Sequence, residues 1–201
     1  MQDCGDSVMV ALPLFPVEGQ GSIPMSPLQF DVIEIPRLRF IKLNKKWHSV
    51  LPLANDCWHG DCYACEFKNV IFAVAWWSHP IAGNRLKLGK NILELRRMAI
   101  CDLAPKNTAT RFLKIMCIIL KKKYQHIYKF ISYQDTENHL GTIYKASGWN
   151  PTESQKKFET WKGHSKRAGL IDQSTAIKVR WEKQIRPEPI TENNNFVQKK
   201  R

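Results

Sequence analysis

The feature that most constrains this chain is an unbroken apolar run, Val70–Trp77 (VIFAVAWW), closed in front by Asn69 and behind by His79-Pro80. Successive side chains of a strand point to opposite faces, so a run with no polar break must be covered above and below and sits inside a sheet rather than at its margin. Its eight residues fall well short of the ~20 needed to cross a bilayer as a helix, so no membrane partner is expected. Neighbouring strands are expected at Tyr63–Phe67, joined to it through Lys68-Asn69, and at Asn91–Ile100. Strict alternation in the latter puts Leu93, Leu95, Arg97 and Ala99 on one side and Ile92, Glu94, Arg96 and Met98 on the other, with Arg97 on a face that begins as core.

Before the run, Ile33–Leu43 shows imperfect alternation that suggests a strand, and residues 44–52 (NKKWHSVLP) read as a polar turn. After it, the APKN break leads to an apolar stripe at positions 109, 112, 113, 116 and 120, which predicts a helix from Ala109 to Leu120. Lys121, Lys122 and Lys123 then suit the negative end of its dipole. A short strand at Ile127–Tyr133 reaches Asp135, and a second helix is expected over about Glu137–Ser147, with Leu140, Ile143, Tyr144 and Ser147 on its stripe and Gly148 as its stop. Residues 175–181 offer a last strand. Strands interleaved with helices in this order imply one α/β domain, a mixed central sheet flanked by helices, over residues 31–185. Residues 1–30, broken by Pro13, Pro16, Pro24 and Pro27, read as an extended arm, and residues 186–201 as a basic tail.

Charge narrows the partners. Lys and Arg number 31 against 18 Asp and Glu, a net charge of +13, a field that gathers polyanions. Nucleic acid is the leading partner; the alternative is excess charge that serves solubility or reflects genome habit. No basic, apolar signal segment opens the chain, so a cytoplasmic location is expected and the six cysteines are expected as thiols. Cys57, His59, Cys62 and Cys65 have spacings that can suit a metal, but only Cys62 and Cys65 form a compact pair, and ordinary strand or loop cysteines are the better reading. Oligomeric state, monomer or dimer, is left open.

The chemistry concentrates at two junctions. The strand-turn-helix passage around Lys106, Asn107, Thr108 and Arg111 offers backbone N–H groups and cations to an anion, with Asn107 or Thr108 as helix cap. It contains neither a phosphate-binding P-loop nor a GxGxxG turn. Asp135 ends the next strand; if that strand runs parallel to the one carrying Arg97, both residues reach the same sheet edge, either as a ligand site or as a structural ion pair. His48 suits a base, a metal ligand, a phosphate contact or a surface residue, and Trp47 and Tyr144 offer faces for stacking a base or for the core.

The segments KWHSVLP (46–52), VIFAVAWWSHP (70–80), LELRRMAICDLAPKNTATRFL (93–113) and ISYQDTENHLGTIYKASGW (131–149) resemble the phage DNA-modification proteins of the Mom family. The resemblance covers roughly residues 33–182 and implies a fold similar to the GCN5-related N-acetyltransferases (GNAT). It implies transfer of a carbamoylmethyl-type, glycine-derived group to the N6 amine of adenine, which protects phage DNA from restriction, with Asp135, Arg97, His48 and Tyr144 in active-site positions. Acetyltransferases of this fold hold acetyl-CoA at a glycine-containing turn; here the turn is APKNTAT, so the resemblance points to an activated glycyl-type donor ahead of acetyl-CoA, with a metal ion left open. Two other classes stay in view: an acyl-CoA-dependent N-acyltransferase acting on a protein or small amine, and a noncatalytic DNA-binding accessory protein.

Overall fold

The computed structural model describes residues 30–48, 60–80, 91–155 and 177–189; the expected N-terminal arm, Cys57, His59 and most of the tail lie outside them. Seven strands form one sheet: β1 (Asp31–Glu34), β2 (Asp61–Phe67), β3 (Val70–Ser78), β4 (Ile92–Ile100), β5 (Lys129–Asp135), β6 (Asn150–Gln155) and β7 (Lys178–Gln184). Their order is β1-β2-β3-β4-β5-β7-β6, and only β4 and β5 pair in parallel. The apolar run is β3, buried almost from end to end, two strands in from the β1 edge. The β2–β3 hairpin turns on Lys68 and Asn69, both with positive φ (48° and 65°), the pair of left-handed conformations that matches the twist of the flanking strands.

Three helices among the described residues cover the sheet: α1 (Arg37–Trp47), α2 (Thr108–Lys123) and α3 (Thr142–Ala146). Helix α2 presents Phe112, Leu113, Met116, Cys117 and Leu120 to one face, where they join Trp77, Leu95, Phe130, Trp149 and Trp181. Trp77 is the centre of that layer: its indole N–H donates to Met116 Sδ at 3.2 Å and its ring meets Phe130 edge-on at 5.3 Å. Helix α1 covers the opposite face through Phe40 and Leu43, which pack with Trp76, Val74 and Ala99.

Three expectations give way. The alternation across Ile33–Leu43 survives only to Glu34; from Arg37 the chain is helical, and α1 takes in Asn44–Trp47 of the expected turn. Phe40, Leu43 and Asn44 are all buried, and that i, i+3, i+4 stripe overrides the weak alternation. The helix expected over Glu137–Ser147 shrinks to Thr142–Ala146, because Gly141 (φ 70°) breaks the run and leaves Leu140 86% exposed. Strand β6, in a stretch that reads as polar, is an edge strand with β7 as its one neighbour.

Among the described residues no helix is long and apolar enough to cross a membrane. Trp77→Ala, by emptying the middle of the α2-side layer, is expected to cost about 3–5 kcal/mol in urea denaturation, while Ile118→Ala, at a site 57% exposed, stays within about 0.5 kcal/mol.

Candidate active site

Pairing between β4 and β5 runs from Ile92 opposite Lys129 to Leu95 opposite Ser132 and stops. Beyond that point β4 continues to Ile100 along β3, and β5 continues to Asp135 along β7, so the two strands part into a fork open at their carboxyl ends. A bulge lies at the parting: Trp77 faces Leu95 and Trp76 faces Arg97, which leaves Arg96 as an extra residue on β4. Arg96 is held over the Trp76 ring at 5.4 Å and paired with the buried Glu94 at 3.3 Å.

The bulge changes which way Arg97 points. Strict alternation put it with Leu93 and Leu95, but after the extra residue the α2-side positions are Met98 and Ile100, and Arg97 shares the α1 face with Trp76 and Ala99. Asp135 stands on that same face: Phe130 is in the α2-side core and Ser132 bonds Tyr144 there, so Ile131, Tyr133 and Asp135 point the other way. Opposite Asp135 in the β5–β7 register is Lys178, on the same face by pairing.

His48, the C-cap of α1, arrives on this face from the other side, with its backbone N–H on Asn44 O at 2.9 Å. Burial lowers its imidazole pKa to about 4, helped by repulsion from Arg97 and then from His139, so it is neutral at pH 7. Burial likewise lowers the Lys178 ammonium; Asp135 opposes the shift and Arg97 adds to it. His48, Arg97, Asp135 and Lys178 therefore form one electrostatic neighbourhood at the mouth of the fork. Lys178 was missed in the sequence because its importance comes from register with Asp135, which no local pattern reveals.

The turn after β5 is tightly built. Asp135 Oδ1 accepts the Glu137 N–H at 3.0 Å, and Gln134 bridges the strand to the turn, donating to His139 O at 2.5 Å while accepting the Trp181 indole N–H at 2.7 Å. Gly141 closes the turn at φ 70°, where a Cβ would stand 2.5 Å from Gln134 Oε1 and 2.7 Å from the Trp181 ring. This packing fixes the direction in which Asp135 leaves the strand.

Tyr144 is not in that cluster. It lies on the α2 side, buried, stacked on Trp181 at 5.3 Å, and its hydroxyl pKa is raised by burial. It still reaches the fork, because its hydroxyl shares a 2.9 Å hydrogen bond with Ser132 Oγ, which donates to Leu95 O at the last paired position. Asn107 is the residue before α2, but it caps with no side chain; it adopts the left-handed conformation (φ 68°) that glycine ordinarily supplies in such a turn. Thr108 Oγ1 donates to Pro105 O at 2.6 Å and caps nothing either. Among the described residues no side chain caps the first-turn amides of α2, of which Thr108 N–H donates to Pro105 O at 3.1 Å, and they stand beside the exposed Lys106. Arg111 turns from this end to lie over Phe30 at 5.4 Å. Cys62 and Cys65 are buried in different layers, one on each side of β2, and among the described residues no group of three His, Cys, Asp or Glu is placed to hold a metal.

A sheet split between its parallel pair, with a bulged strand leading into a helix start, is the fold of the GNAT acetyltransferases, and solved structures bear this out. An acetyltransferase from Bacillus subtilis in complex with CoA superposes with a TM-score of 0.53 at 12% identity over 78% of this chain and 98% of that one. The ribosomal-protein-S18-alanine N-acetyltransferase from Escherichia coli gives 0.56 at 11% identity over 82% and 98%, and a putative acetyltransferase from Salmonella typhimurium with its cofactor acetyl-CoA gives 0.54 at 9% over 77% and 93%. No curated protein sequence matches the chain. The Mom protein family model matches residues 79–199, well over half of the 201 residues, and the chain belongs to that family.

The half-buried, neutral His48 has a measurable consequence. With a folded pKa of about 4 against 6.5 in the unfolded chain, the unfolded form takes up a proton first as the pH falls. Its contribution to stability is therefore full above pH 6.5 and is withdrawn toward pH 4. Urea midpoints of the wild type are expected to fall across that window, and His48→Gln to fall less steeply.

Proposed function

We propose that this chain is a DNA-modifying transferase that joins a small activated, glycine-derived group to the N6 amine of adenine in double-stranded phage DNA, protecting it from restriction. The observation that carries the reading is the meeting of Arg97, Asp135, His48 and Lys178 on one face of the open fork, in a Mom-family chain with a net charge of +13. Adenine N6 is a weak nucleophile because its lone pair is shared with the ring, so attack needs a group that accepts its proton. A base inside a duplex must also leave the stack before any side chain reaches it.

In this reading Asp135, opposite Lys178 across the strand pair and held by its own turn, accepts the N6 hydrogen as the bond from N6 to the transferred group forms. The donor's leaving group departs with its bonding pair, and Arg97 balances the negative charge that develops there. His48, uncharged at neutral pH, is a second acceptor beside the same face.

The first-turn amides of α2 and Lys106 fit the pyrophosphate of a CoA-type carrier, since Asn107 supplies the turn geometry without glycine. Such a carrier, when bound, supplies an acyl group activated as a thioester. That fit supports the second reading, acyl transfer to a protein or small amine, in which CoA-dependent acylation proceeds with no DNA present.

Nucleoside mass analysis of DNA from cells expressing the protein separates these. The proposal expects an adenosine species of added mass, lowered by about 10²-fold or more in Asp135→Asn with the protein still folded. Unmodified adenosine, or undiminished modification in Asp135→Asn, contradicts it.

A further inference from the structure

We propose that α1 is the docking surface for the DNA backbone, a rail of cations that leads a strand to the fork; the inference rests on the reading of DNA as the substrate. Five of the eleven residues of α1 are basic, Arg37, Arg39, Lys42, Lys45 and Lys46, and none is acidic. The helix seats itself through Phe40, Leu43 and Asn44, which turns Lys42, Lys45 and Lys46 outward with Arg37 at the near end; all four are exposed.

The stability of α1 explains only part of this charge: Lys45 and Lys46 suit the negative end of its dipole, and the other three basic residues do not. Arg37 and Arg39 stand in the first turn, where the helix dipole disfavours cations, and the N-cap is Pro36 with no side-chain hydrogen bond. Lys42 and Lys46 at i, i+4, and Lys42 and Lys45 at i, i+3, repel one another. Solubility is served as well by mixed signs. A row of cations kept against these costs is suited to an anionic partner longer than a single phosphate.

Placement makes the partner specific. The chain enters α1 just after Glu34, at the end of the sheet where Lys123 of α2 bonds Glu34 and Asp61, and leaves it at His48, within electrostatic reach of Arg97. Ten steps of about 1.5 Å make a rail of ~15 Å, long enough to meet more than one phosphate of a strand. A backbone lying there arrives at the fork on the face that carries Arg97 and Asp135. The other lysine-rich stretch, Lys121–Lys123, sits on the opposite face at the far end of α2, and Lys123 is already paired with Glu34 and Asp61 at 2.9 and 3.1 Å.

The test compares Lys42→Gln/Lys45→Gln/Lys46→Gln with a charge control, Lys121→Gln/Lys122→Gln, in the full chain. Binding to a fluorescent duplex is measured from 50 to 200 mM salt, with circular dichroism to verify folding and nucleoside mass analysis to read modification. The α1 variant is expected to flatten the log–log salt slope by about 2.7 and to weaken binding several hundred-fold near 0.1 M salt, from ~0.9 per phosphate contact; the control is expected to lie close to wild type. Equal losses in both variants, no loss in the α1 variant, or a stronger α1-dependent attachment to phosphatidylserine vesicles than to duplex would overturn the proposal. If wild type binds and modifies DNA while the α1 variant does so equally well, the rail alone fails; if wild type neither binds the duplex nor alters its adenines, the substrate reading fails with it.

Discussion

One extra residue in β4 organises the site. Because Arg96 has no partner on β3, every side chain after it changes face, and β4 turns from β5 just where their pairing ends at Leu95 and Ser132. Were Arg96 in regular register instead of bulged, Arg97 would point into the layer of Trp77 and Met116, where a guanidinium has no polar company. With the bulge, Arg97 joins His48 and Asp135 on the α1 face, and β4 and β5 part instead of continuing the sheet between them. The bulge is itself anchored, since Arg96 is pinned between the Trp76 ring and Glu94.

The two faces of the fork do different physical work. On the α2 side, aromatic packing of Trp77, Phe130, Tyr144, Trp149 and Trp181 makes a rigid wall, and the Gln134 bridge from Trp181 to His139 carries that rigidity into the turn that aims Asp135. On the α1 side the groups are charged or titratable and half-buried, and Arg97 lowers the pKa of both His48 and Lys178. A rigid wall behind a responsive cluster suits a reaction that must hold one proton acceptor in place while charge changes around it.

Much of the fold was legible because its strongest signals are local. The VIFAVAWW run, the hairpin at Lys68-Asn69, the stripe of α2 and the strand ending at Asp135 each announce themselves within a short window, and three of the four Mom-like segments fall on them. What was lost depended on partners distant in sequence. The facing of Arg97 required knowing that Trp76 and Trp77 straddle an extra residue, Lys178 required the β5–β7 register, and β6 is a strand because β7 is beside it. Helix α1 was misread for a different reason: Ile33 and Ile35 alternate convincingly up to Pro36, and the helical stripe of Phe40, Leu43 and Asn44 includes a buried polar residue that breaks the expected apolar pattern.

The facing of Arg97 is tested most directly by following the His48 imidazole in NMR titrations of wild type and Arg97→Gln. The structure requires His48 to titrate near pH 4 in the wild type and to move upward once the guanidinium is gone, while the Met116 methyl resonance on the other side of the sheet stays where it was. An unchanged His48 titration together with a displaced Met116 methyl would put Arg97 on the α2 face and undo the fork as described.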